Sequence, residues 1–125
     1  MYSLSLKRRF VANHYLVGGD WGAENLPHAH AYQMEVGVES SALDAHGYVI
    51  DLVLLEKVVE ETLAKFRDRT LNDRPEFAGL NPSLEHFARI LAEAIDQGLA
   101  VTPIAGLEVR LWEHEAAFAA YRLRR

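Results

Sequence analysis

Residues 28–39, HAHAYQMEVGVE, alternate so regularly that they constrain the fold more than any other stretch. His28, His30, Tyr32, Met34, Val36 and Val38 fall on one side, and Gln33, Glu35 and Glu39 on the other. Side chains of a strand alternate between faces, so this is a half-buried strand with two histidines at the start of its apolar face. Residues from Tyr2 repeat the pattern: Tyr2, Leu4, Leu6, Phe10 and Ala12 oppose Ser3, Ser5, Lys7 and Arg9, and only Arg8 breaks it. Between the two runs, LVGGDWGAENLP has three glycines, a proline and no periodicity, and it reads as a long loop.

The period then changes. In VIDLVLLEKVVEETLAKF, Leu55, Val58, Val59, Thr62, Leu63 and Phe66 recur at three- and four-residue spacing, which predicts an amphipathic helix with Asp51 at its N-terminus. Ser83 is the candidate N-cap of a second helix, whose apolar stripe is Leu84, Phe87, Ala88, Leu91, Ala94 and Ile95 and whose stop lies near Gly98. Alternation returns at Leu107, Val109 and Leu111 and again in FAAYRLR. The order ββααββ predicts an α+β domain spanning 1–125, a four-stranded antiparallel sheet with two helices on one face. The edges of such a sheet must be paired or covered, so oligomerisation through them is expected.

Composition removes several functions. There is no cysteine, which excludes disulfides, thiolate-ligated zinc and a thiolate nucleophile. A formal charge of −5 opposes binding to a phosphate backbone, so no nucleic-acid partner is expected. No apolar run approaches the roughly 18 residues of a membrane span, and MYSLSLKRRF lacks the pattern of a signal peptide, so a cytoplasmic address is expected.

His14 continues the face of Phe10 and Ala12. If the first two strands pair as a hairpin, His14, His28 and His30 converge at the mouth of the loop. Three imidazoles with one open position make a catalytic zinc set, in which the metal acidifies water or polarises a carbonyl. The spacing leaves a second reading open, three unrelated polar residues beside a loop. Glu113 prolongs the face of Leu107, Val109 and Leu111. Either it points inward and needs a partner or ligand, or the strand ends at Trp112 and the carboxylate is solvated.

Six segments, in order, resemble the 6-pyruvoyltetrahydropterin and 6-carboxytetrahydropterin synthase family. FVANH at 10–14 is similar to F-x-A-A-H, HAHAY at 28–32 to H-G-H-x-Y, and HGYVIDL at 46–52 to G-M-V-I-D-F. TLND at 70–73, NPSLEHFA at 81–88 and EHEAAFAAY at 113–121 match further family segments. The resemblance implies that His14, His28 and His30 bind zinc and that Glu113 holds a pterin through its ring N–H and amino group. It also implies the tunnelling fold, in which strands of three subunits close a barrel, two barrels stack as a homohexamer (a dimer of trimers), and the sites lie between subunits.

The proton-transfer residues depart from the family pattern. Glu24 stands at the usual cysteine, and Arg67-Asp68 at an Asp-His pair contributed by a neighbouring subunit. Ala29 replaces the glycine of H-G-H, and His114 a threonine that follows the pterin glutamate, which makes His114 a candidate substrate contact. Glu24 is a candidate base if burial raises its pKa, with Asp68 assisting; Arg67 is a candidate grip for phosphate or carboxylate. Both acids also read as solvated loop residues. A family branch with glutamate in place of the cysteine trims 7,8-dihydroneopterin triphosphate to 6-hydroxymethyl-dihydropterin, and its glutamate spacing need not match Glu24. The expectation is a zinc-dependent homologue acting on 7,8-dihydroneopterin triphosphate or a related pterin with altered chemistry. The alternatives are a zinc- and pterin-binding protein without turnover, and a purely structural oligomer. His46, His86, Asp20 and Trp21 are weaker candidates.

Overall fold

The computed structural model describes residues 1–125. Both alternating N-terminal runs are long strands, β1 (Tyr2–His14) and β2 (His28–Ser40), and the helical stripes become α1 (Leu52–Leu63) and α2 (Leu84–Gly98). Two further strands follow, β3 (Gly106–His114) and β4 (Ala117–Arg124). They form one antiparallel sheet in the order β1-β2-β3-β4, so the helical pair is inserted between two neighbouring strands.

Alternation decides which face of the sheet the helices cover. Phe10, Ala12, Tyr32, Met34, Val36, Val38, Leu107, Val109 and Leu111 are buried in a single core with Leu55, Val59 and Leu63 of α1 and Phe87, Leu91 and Ile95 of α2. Burying each of the valine, leucine, isoleucine, methionine and phenylalanine side chains among them contributes about 1.5–3 kcal/mol. Phe10 stacks on Tyr32 at 5.2 Å between centroids, and Phe87 meets Tyr32 edge-on at 5.3 Å. Both helix starts are capped as expected: the Asp51 carboxylate accepts from the Val53 N–H, and the Ser83 hydroxyl from the His86 N–H.

Arg8, the one break in β1, faces the helices and is paired. Its guanidinium donates to Glu60 Oε1 and Glu56 Oε2, both at 3.0 Å, and so ties β1 to α1. The segment after α1 covers part of the β1 edge. Asp68 N–H donates to Val11 O (2.7 Å) and Asn13 N–H to Arg69 O (2.9 Å), with a parallel bridge between Asn13 and Thr70. The long loop is less irregular than its composition predicts, because a short 3-10 turn forms over Gly22–Asn25.

Candidate metal and ligand site

Register assembles the three histidines. His14 lies directly opposite His28 in the β1–β2 ladder, and Ala12 opposite His30, so the three imidazoles are same-face neighbours at one end of the hairpin. Their rings stand nearly perpendicular in pairs, at 74°, 79° and 82°, with centroids 4.6–4.9 Å apart. One nitrogen from each ring falls within 4.8 Å of the other two. His14 is buried, and His28 and His30 are half-buried at the rim.

Hydrogen bonds select the nitrogens that can bind a cation. His28 Nδ1 is 2.7 Å from the Leu26 carbonyl, which only accepts, so Nδ1 carries the proton and Nε2 presents its lone pair. His14 Nδ1 faces the Tyr32 hydroxyl at 3.3 Å, leaving Nε2 toward His28. The His14 and His28 Nε2 atoms are 3.0 Å apart, a contact that is favourable only with a proton or a cation between them. Two nitrogens on a tetrahedral zinc with bonds near 2.05 Å would be about 3.3 Å apart, so the pair fits such an ion with little movement. Burial, followed by the neighbouring His30 and His28, lowers the His14 pKa from 6.5 to about 4. His14 is therefore neutral at physiological pH, the form a metal requires.

Glu113 joins this group. β3 continues past Trp112 to His114, so the carboxylate is on the core face and not beyond the strand end. Its Oε2 lies 3.7 Å from His30 Nε2, with the side chain 28 % exposed. The β3–β4 register shifts between Trp112 and His114, leaving Glu113 without a partner in β4. Bulges of this kind re-aim a side chain and are frequent beside functional sites. Burial, then the Glu113 charge, holds the Tyr32 hydroxyl well above the usual phenol range.

Three asparagines fasten the loop that follows His14. Asn72 grips the Tyr15 backbone at both ends, accepting from its N–H (3.0 Å) and donating to its carbonyl (2.9 Å). Asn81 accepts from the Val17 N–H at 2.8 Å, and Asn25 donates to the Leu16 and Gly19 carbonyls. Asn72 and Asn81 belong to TLND and NPSLEHFA, so these segments have a local purpose: they position the chain around the histidines. Sequence reading assigned no role to these asparagines or to the Tyr32 hydroxyl. The available signal for Tyr32 was its place on the His28 and His30 face.

The other candidates lie apart, and none makes a hydrogen bond or ion pair with a triad ring. Glu24 is exposed in the 3-10 turn, where its carbonyl accepts from the Leu16 N–H. Arg67 donates to Glu60 Oε2 at 3.3 Å. Asp68 is the one non-glycine residue in left-handed backbone, at φ 60°, beside the β1 edge. His114 faces the opposite side of the sheet from Glu113, and its Nδ1 accepts from the Ala116 N–H. His86 donates from Nδ1 to the Asn81 carbonyl, a local role at the start of α2.

A family model described as 6-pyruvoyl tetrahydropterin synthase matches residues 3–124. The chain belongs to that family. A protein of Archaeoglobus fulgidus provisionally named a 6-carboxy-5,6,7,8-tetrahydropterin synthase is 32% identical over 96 residues, covering 76% of this chain and 75% of that one. Among solved structures, a catalytic-residue mutant of the Plasmodium vivax 6-pyruvoyltetrahydropterin synthase superposes with a TM-score of 0.82 at 13% identity, covering 99% of this chain and 98% of that one. The Caenorhabditis elegans enzyme gives 0.79 at 21% identity, with 98% and 96% covered. These likenesses bear out the fold expected of a tetrahydropterin synthase homologue, a four-stranded antiparallel sheet carrying two helices. No helix is long and apolar enough to cross a membrane.

Proposed function

We propose that the chain is a zinc-dependent member of the tetrahydropterin synthase family that takes 7,8-dihydroneopterin triphosphate or a related pterin, with chemistry altered at the proton-transfer step. The observation that carries this reading is the meeting of His14, His28 and His30 with the Glu113 carboxylate, 3.7 Å from His30. Glu113 offers two acceptor oxygens to a ring N–H and an exocyclic amino group, a pairing with the geometry of a bidentate hydrogen bond. Zinc held by the three histidines would polarise hydroxyl or carbonyl oxygens of the substrate side chain. Tyr32 keeps its proton and orients His14.

Glu24 is the proposed base and Asp68 its helper, with Arg67 as a further substrate contact; His114, turned away from Glu113, would contact only substrate held by a neighbouring subunit. The Plasmodium vivax enzyme has a glutamate as a catalytic residue, which supports a carboxylate in that role. Glu24 is exposed in one subunit, so the proposal includes a neighbouring subunit that covers it. The free edge of β4 and the uncovered part of the β1 edge favour closure with other copies, as a homohexamer of two trimers. A cytoplasmic setting, without nucleic-acid or membrane partners, completes the proposal.

A second reading is a zinc- and pterin-binding protein without turnover. It is favoured by Arg67, which stands at the Asp-His position and is engaged by Glu60. One experiment separates the two: metal analysis of the purified protein, followed by incubation with 7,8-dihydroneopterin triphosphate. Stoichiometric zinc with release of phosphate or of side-chain fragments supports the enzyme, and tight binding without product supports the second reading. Protein free of zinc and indifferent to substitution of His28 defeats both.

A further inference from the structure

The face of the sheet turned away from the helices carries an open cavity of about 530 Å³, whose lining includes Arg9, Val11, Gln33, Trp112, His114 and Glu115 and reaches Phe10, Ala31 and Tyr32. None of the three site histidines lines it, nor does Glu113, and alternation turns the Arg9, Gln33 and Trp112 side chains to the face opposite His14, His28, His30 and Glu113. Register places Arg9 opposite Gln33, and Gln33 opposite Trp112, so a cation, an amide and an indole form one row across three strands.

The donors in this row are unspent. Arg9 makes no side-chain hydrogen bond and no ion pair, whereas Arg110 and Arg122 on the same face are both held by Glu108. The Trp112 indole N–H has no acceptor, and His114, whose Nδ1 accepts from Ala116, has Nε2 left to donate. Trp112 is steadied from one side by Phe118, with centroids 4.8 Å apart, and Phe118 in turn lies under the Arg110 guanidinium at 5.3 Å. A braced indole beside a free guanidinium offers stacking and charge together, while Glu115 is the one carboxylate among the lining residues.

We infer that this cavity is a second ligand site, for a small aromatic anion whose ring packs on Trp112 and whose acidic group pairs with Arg9. The acidic group can be a carboxylate or a phosphate, and the choice of probe distinguishes them. The chain has two tryptophans, so Trp21→Phe leaves Trp112 as the sole indole reporter. In that background the fluorescence of the intact protein is titrated with benzoate and, separately, with adenosine monophosphate.

Saturable quenching by either probe at millimolar concentration is expected. Arg9→Gln should weaken it about tenfold or more, through loss of a charge-assisted bond. Glu115→Gln should tighten it a few-fold, by removing a like charge. Opposite shifts from two exposed residues would not arise from a general effect on the fold. Absence of saturation with both probes overturns the inference, as does an affinity indifferent to both substitutions. Loss of binding in His28→Ala also overturns it, by locating the ligand on the histidine face.

Discussion

Glu113 Oε2 lies 3.7 Å from His30 Nε2, joining a carboxylate near the end of the third strand to an imidazole near the start of the second. The contact makes one site of two functions, a nitrogen cluster fit for a cation and an oxygen pair fit for a donor-rich ring. The two halves can be separated by substitution. His28→Ala should bring metal content from stoichiometric to near zero by elemental analysis. Glu113→Ala should keep the metal, lose pterin binding by calorimetry, and change stability by less than about 1 kcal/mol, since the carboxylate is only partly buried. Retention of pterin affinity in Glu113→Ala would remove the carboxylate from recognition.

Acid should destabilise the apo-protein through His14. Its folded pKa of about 4 lies below the ordinary histidine value of 6.5, so between these values the unfolded chain binds more protons. The stability that comes from keeping His14 neutral is fully present above about pH 6.5 and is lost as pH falls toward 4. It is bounded at about 3 kcal/mol. Urea midpoints measured across this window should fall with pH, and the fall should be shallower in His14→Gln. An identical slope in the variant would contradict the assignment.

Asn72→Ala should weaken metal binding without removing a ligand. Two hydrogen bonds to Tyr15, the residue after His14, are lost, and the expected cost is about 1–2 kcal/mol in urea denaturation. Competition with a chelator should show reduced metal affinity in the variant. Unchanged affinity would mean that β1 alone holds His14 in place.

Gly98→Ala should destabilise, although alanine is the better helix former by about 1 kcal/mol. A Cβ there would sit 2.5 Å from Val58 Cγ1 and 3.3 Å from Cγ2, where α2 meets α1. Overpacking of this kind costs about 1–3 kcal/mol. Val58→Ala should relieve the clash, so a double-mutant cycle read by thermal denaturation should show favourable coupling between the two substitutions. Simple additivity would show that the helices separate freely.

Much of the architecture was legible because local periodicity reports burial directly. The strand faces, both helix caps and the ββααββ order follow from residues that are neighbours in the chain, such as Asp51 with Val53 and Ser83 with His86. Arg8 could be recognised as an exception but not explained, since Glu56 and Glu60 reach it only after α1 packs against β1. Glu113 stood at the limit of what pattern can tell. Whether the strand stopped at Trp112 depended on β3 pairing and on the bulge that follows, neither of which has a sequence period.

By itself, the sequence determined that His28 and His30 share an apolar strand face, that no thiolate can take part, and that the ordered segments of a known family are present. Only the tertiary structure decided that His14 meets His28 at 3.0 Å, that Glu113 joins the group, and that Glu24, Arg67 and His114 do not bond to it within one subunit. The physical reason is range. Alternation and capping act over a few residues and are written into their order, whereas the site is made by strand register and by asparagine ties such as Asn72 to Tyr15, which exist only when distant segments pack together.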